Sequence, residues 1–223
     1  MGRPAVIAEV RTHGPASGPA VICMNGGRAA AVEGTWSASL EWLVGRLAPR
    51  FPGLRFAEVK YRVKSWNRFD SCLEDARQAI ERVDAERTLL LGFSMGGAVA
   101  ISVADDPRVE GVLGLAPWIP DRLSLEPLRG RRLDVIHGSL DRAFPGVPGV
   151  SPALSRRGFE RAQALGVPGT YTLIRGALHA IALRAGRPVP LPRAGEWVNE
   201  IAIRLEPFAW RPPHRSESSR KAR

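Results

Sequence analysis

Short runs of apolar and β-branched residues alternate along this chain with longer stretches whose apolar residues recur at helical spacing. The short runs predict strands at 5–10, 20–24, 54–59, 88–93, 109–115, 133–137 and 170–175. Between them, Leu40, Leu43, Val44 and Leu47 fall at i, i+3, i+4 and i+7, one apolar stripe of a helix. Leu73, Ala76, Ile80 and Val83 repeat the pattern, with Asp70, Glu74 and Asp75 near the helix start, where the macrodipole favours anions. Trp197, Ile201 and Leu205 mark a third face, and 153–165 is a helix candidate whose arginines blur the period.

Strands alternating with helices imply βαβ crossovers, hence a mostly parallel sheet with helices on both faces. The runs Leu89–Leu91 and Val112–Leu115 are apolar at every position, as a central strand buried on both faces must be. Only the Gly/Pro-rich segment 11–19 separates the first two strands, so the pattern predicts a hairpin there and one antiparallel strand. The expected fold is a three-layer α/β/α sandwich with a seven-stranded sheet. It occupies residues 1–210, and the polar segment 211–223, without periodicity, is expected to be a disordered tail.

Composition narrows the class further. At 223 residues, with 44% hydrophobic and 24% charged residues, the chain can bury one core without staples. Its net charge of +10 raises the question of nucleic acid or an anionic membrane. Against that, only Lys60, Lys64 and Lys221 are lysines, and the arginines are scattered rather than blocked, so a nucleic-acid partner is not expected. Cys23 and Cys72 form no metal or redox spacing and read as two buried thiols of a reducing compartment. The N-terminal apolar run is closed by Glu9 and Arg11, unlike a secretory leader, and the uncharged stretch 88–104 is broken by Gly92, Ser94, Gly96 and Gly97. A cytoplasmic protein with no membrane span is expected.

Gly92-Phe93-Ser94-Met95-Gly96 reads G-x-S-x-G, a weak motif by itself. Its context is specific, because it joins an apolar strand to a run of small residues of helical character. A serine on so sharp a turn projects its hydroxyl from the sheet edge, above a helix N-terminus whose free N–H groups suit a developing oxyanion. A serine hydroxyl needs a base, and the chain has four histidines. His13 lies in the early Pro/Gly loop and His214 in the tail, while His137 closes a strand and reads as a packing residue. His179 follows the strand at 170–175 and so shares the C-terminal sheet edge with Ser94, making it the expected base. Asp141, one short turn beyond the strand at 133–137, is the expected acid. Asp121, after the strand at 109–115, is its rival, read as the cap of a helix through Leu123 and Leu125. Asn25-Gly26-Gly27 follows the second strand, so the N–H groups of Gly27 and Met95 are the expected oxyanion donors. Trp66, Phe93, Trp118, Ile119 and Phe144 are candidate walls of a substrate pocket. No metal or organic cofactor is expected.

These motifs, together with His137-Gly138-Ser139-Leu140-Asp141 and Gly176-Ala177-Leu178-His179, resemble the α/β-hydrolase-fold serine hydrolases over about residues 5–209. The order Ser94, Asp141, His179 matches that class. The family often has His-Gly where this chain has Asn25-Gly26. Many relatives insert a cap domain after the strand matching 109–115, and here only 116–132 is available, as in compact esterases and dienelactone-hydrolase-like enzymes. A dienelactone hydrolase proper uses a cysteine nucleophile, and relatives that open carbon–halogen bonds or epoxides use an aspartate, so Ser94 argues against those activities. The resemblance implies a Ser94–His179–Asp141 triad cleaving small carboxylic esters, or thioesters, through an acyl-enzyme. Peptidase, acyltransferase and haloperoxidase chemistry on the same residues, and a non-catalytic binding module on this fold, are the alternatives.

Overall fold

The computed structural model describes residues 8–142 and 149–210. In chain order the elements are β1 (Glu9–His13), β2 (Ala20–Met24), β3 (Val32–Glu33), α1 (Ala38–Leu47), β4 (Arg55–Lys60), β5 (Val63–Lys64) and α2 (Phe69–Val83). They continue as β6 (Thr88–Phe93), α3 (Met95–Ser102), β7 (Val109–Leu115), β8 (Arg132–Gly138), α4 (Pro152–Ala164) and β9 (Tyr171–Ile174). A small hairpin, β10 (Ala182–Ala185) with β11 (Arg187–Pro190), precedes the final helix α5 (Ala194–Ala209).

Seven strands form one sheet in the order β1-β4-β2-β6-β7-β8-β9, parallel throughout except for β1 against β4. The expected antiparallel strand is therefore present, but the expected hairpin is not. β1 pairs with β4, Val10 opposite Val59, while β2 lies on the other side of β4. The reason lies in the side chains: every residue of β2 is buried, so β2 needs a partner on each edge, whereas the half-exposed β1 suits the rim. Residues 143–148 and 211–223, including the expected tail and Phe144, lie outside the described residues.

Strand periodicity sorts the core into two layers. On β2, Ala20, Ile22 and Met24 face the side covered by α2, α3 and α4, while Val21 and Cys23 face α1 and α5. The stripe Leu40, Leu43, Val44 and Leu47 of α1 is buried with Trp197, Ile201 and Leu205 of α5. Ser37 starts α1, its hydroxyl accepting from the Leu40 N–H at 3.3 Å. In α2 only Asp70 sits in the first turn. Asp75 turns inward, fully buried, and accepts from Arg62 Nε at 2.5 Å and from the Arg62 N–H at 2.8 Å. Its role is a tether to the β4–β5 segment rather than a complement to the dipole. Both cysteines are free and buried, on opposite layers. Among the described residues no helix is long and apolar enough to cross a membrane, and between β7 and β8 the only helical element is a 3-10 turn at Glu126–Leu128. No cap domain stands over the sheet there.

Candidate active site

Parallel strands deliver their following loops to one edge of a sheet, and that edge gathers the chemistry-bearing residues here. Ser94 ends β6 with φ +55° and ψ −119°, one of four non-glycine residues at positive φ among those described. Such a conformation is strained for a side chain bearing Cβ and persists only where its surroundings impose it. The surroundings are specific. The Ser94 N–H donates to Leu115 O at 2.9 Å, and its carbonyl accepts from the N–H groups of Gly97 and Trp118, both at 2.9 Å. A Cβ on Gly92 would lie 2.3 Å from Gly96 O, and one on Gly96 would lie 2.2 Å from Met24 O. Both glycines are thus required for strand and helix to close around the serine.

Asp141 follows β8 through a tight turn stitched to the next loop: Ser139 N–H to Ile174 O and Leu140 N–H to Ala177 O, both 2.9 Å. That stitching brings His179, after β9, back across the sheet edge toward β6. The His179 ring lies 5.1 Å from the Phe93 ring, and its Nδ1 is 2.6 Å from Asp141 Oδ2. Burial would raise the Asp141 carboxyl, but hydrogen bonds from His137 and His179, with their charges, outweigh it and hold the group below its ordinary range. An ionised carboxylate only accepts, so Nδ1 of His179 donates to it and Nε2 points away from the acid. Among the described residues Ser94 Oγ has no hydrogen-bond partner; Ser94 and His179 are both buried, at 5% and 8% exposure.

The segment after β2 stands against the serine. A Cβ on Gly26 would lie 3.3 Å from Ser94 Cβ, and one on Gly27 would strike Met95 Sδ at 2.2 Å and Trp66 Cδ1 at 2.6 Å. Only glycine fits at position 27, with the thioether and the indole packed on its Cα. The Met95 N–H opens α3 and, as a first-turn donor, has no partner within the helix. Trp66 stacks on Trp118 at 5.6 Å, and its Nε1 is buried without a hydrogen-bond partner among the described residues.

Other expectations fare differently. Ile119 is fully buried and packs toward α4, where a Cβ on Gly158 would meet its Cγ2 at 2.4 Å, so it is a core residue and no pocket wall. No helix runs through Leu123 and Leu125 for Asp121 to cap; its side chain is 72% exposed and stands 4.0 Å from Arg161. His137 is buried, as a packing residue would be, yet its Nε2 lies 2.8 Å from Asp141 Oδ2, a contact the sequence reading missed. The i, i+4 spacing of His137 and Asp141 across a glycine turn was the available signal. Its Nδ1 lies 2.7 Å from Ser155 Oγ, giving a second serine–histidine chain to the same carboxylate. Ser155 is fully buried inside α4, however, with its hydroxyl also 3.1 Å from Pro152 O. A cleft of about 650 Å³ at Leu89, Arg132, Thr170 and Phe208 lies at the opposite edge of the sheet, remote from all of these residues.

No protein-family model matches the chain, and no curated protein sequence matches it. Solved structures do match. An alpha/beta hydrolase enzyme from a Medee basin deep-sea metagenome library superposes with TM-score 0.68 at 16% identity, covering 93% of this chain and 95% of that one. A sugar hydrolase from Lactococcus lactis gives 0.67 at 18% identity, covering 93% and 96%. A thermophilic esterase from the Planctomycetes species Thermogutta terrifontis gives 0.65 at 14% identity, covering 96% and 92%. At such identities the likeness speaks for architecture, and with the strand order, the serine turn and the uncapped edge it establishes that this chain has the α/β-hydrolase fold.

Proposed function

We propose that the protein is a serine hydrolase of small carboxylic esters, with Ser94 as nucleophile, His179 as base and Asp141 as the acid that orients it. The observation that carries this reading is Ser94 at positive φ on the β6–α3 turn, on the same edge as a His179–Asp141 pair joined at 2.6 Å. In the proposed cycle Ser94 Oγ attacks the acyl carbon while His179 Nε2 takes its proton. The tetrahedral oxygen is held by the N–H groups of Gly27 and Met95. His179 then protonates the departing alkoxide, and water, deprotonated by the same imidazole, resolves the acyl-enzyme and restores Ser94. The Trp66–Trp118 stack and Phe93 wall the acyl site, and the absence of a cap over 116–131 favours small or protruding substrates.

A second reading takes Ser155 as nucleophile on His137, favoured by their 2.7 Å contact. It is the weaker one, because a fully buried hydroxyl in regular helix has no room for an acyl group and no strained turn to present it. Turnover of p-nitrophenyl esters by Ser94→Ala and Ser155→Ala separates the two. Ser94→Ala should lose about 10⁴-fold or more, leaving binding and oxyanion effects, while Ser155→Ala should keep at least roughly a tenth of the rate. Ser94→Ala retaining a tenth of wild-type turnover would remove the proposal.

A further inference from the structure

The Asp141 carboxylate holds two imidazoles, and the proposed mechanism uses only one. Oδ2 is 2.6 Å from His179 Nδ1 and 2.8 Å from His137 Nε2, while Oδ1 accepts from the Val150 N–H at 3.0 Å. His137 Nε2 is also 2.9 Å from Val150 O. A carboxylate and a carbonyl are both pure acceptors, so Nε2 must carry a proton and share it between them. Behind the ring, Nδ1 faces Ser155 Oγ at 2.7 Å, and Ser155 Oγ lies 2.9 Å from Tyr171 OH, itself 3.0 Å from Pro152 O. Ser155 can therefore donate to Nδ1, which fixes the tautomer from the far side. Glycine at position 149 leaves room for the approach of Val150, since a Cβ there would stand 2.6 Å from Asp141 Oδ1.

We propose that His137 is a positioning residue of the active site, its Nε2–H pinning the Asp141 carboxylate in the orientation that His179 requires. The inference rests on the Ser94–His179–Asp141 reading for its catalytic consequence. One imidazole alone leaves a carboxylate free to turn about its Cβ–Cγ bond; a second donor on Oδ2 and an amide on Oδ1 remove that freedom. A histidine that merely filled the core could spend its N–H on Val150 O, whereas this one divides it with the acid. The depressed Asp141 carboxyl accords with this, since burial pushes it up and the His137 contact is the largest influence pulling it down. The titratable and charged groups around the pair are His179 beyond β9, Tyr171 on β9, and Arg156 and Glu160 on α4, the last two acting on Tyr171.

The test follows the Asp141 carboxyl by ¹³C NMR through an acid titration in the full-length wild type, His137→Leu and His137→Gln, with kcat and KM measured alongside. Leucine removes the donor, and glutamine restores an N–H at the ε position. In His137→Leu the carboxyl should titrate at higher pH and kcat should fall on the order of 10²-fold with KM little changed; His137→Gln should recover most of both. A His137→Leu titration superimposed on wild type, or a glutamine variant no better than leucine, overturns the proposal. Should leucine unfold the protein, wild-type NMR decides: the His137 Nε2–H signal should shift as Asp141 is titrated, and a signal that stays fixed through that titration, or an Nδ1–H tautomer, sinks the anchor. The titration reads no hydrolysis, so a shifted Asp141 in a protein whose Ser94 proves inert would retire the catalytic reading and leave the anchor standing.

Discussion

Asp141 and Asp121 are both carboxylates after strands at the C-terminal edge of the sheet, and their surroundings give them opposite fates. Asp141 is buried and takes N–H donors from two imidazoles and an amide; Asp121 is exposed beside Arg161 with no hydrogen bond to a histidine among the described residues. Asp141→Asn leaves the shape intact but can turn its amide toward His179 and select the wrong tautomer, so turnover should drop about 10⁴-fold in a folded protein. Asp121→Asn, an exposed change, should alter stability by less than about 0.5 kcal/mol and leave kcat close to wild type. Steady-state kinetics on both variants check this, and the reverse pattern would move the acid. At this scale the sequence was informative about which residue types end which strands. It was silent on His137, because whether a strand-end histidine points only into the core or also onto an acid depends on tertiary placement, here of Asp141 and Val150.

The elements carry the site through their registers and a few buried polar ties. Strands β6 and β7 match their sequence bounds because each carries an apolar stretch, Leu89–Leu91 and Val112–Leu115, that begins just after a charged residue; α1, α2 and α5 emerge from their stripes. The β10–β11 hairpin left no such trace: its alternation is short, Leu183 and Val189 are exposed, and its first strand is hydrogen-bonded to α1. Ser39 of α1 supplies the tie, its fully engaged hydroxyl donating to Ala182 O at 3.2 Å and accepting from the N–H groups of Ile181 and Ala182 at 3.1 and 3.2 Å. These residues begin two positions after His179, so α1 fixes the histidine loop from below. Ser39→Ala strands one carbonyl and two amides and should cost about 1–3 kcal/mol, lowering Tm by roughly 2–4 °C for each kcal/mol in a chain of this size. Calorimetry of the variant reads the cost; an unchanged Tm would mean the hairpin stands without the tie.

For the molecule as a whole, the acid side of the stability curve should be set by carboxylates that folding holds low. Glu41 is brought to about 2, first by its hydrogen bond from Arg184 and, against some burial, by Arg11, so it ties the hairpin to α1 and β1. Asp141 is lowered as well. For both groups the folded pKa lies below the unfolded one, so the unfolded chain binds more protons in the window between them. Their stabilisation is complete above about pH 4–5 and fades as pH falls toward the folded values. Unfolding midpoints in urea should therefore decline from pH 5 downward, and less steeply in Glu41→Gln; parallel declines would exclude Glu41 from the effect. The central claim, that one serine on this fold is a nucleophile, is tested most directly on the intact protein with a fluorophosphonate. Mass spectrometry should show one phosphonyl group per chain, mapped to the peptide bearing Ser94 and absent from Ser94→Ala. An intact, folded protein that takes up no label, or carries it on Ser155, would contradict the account.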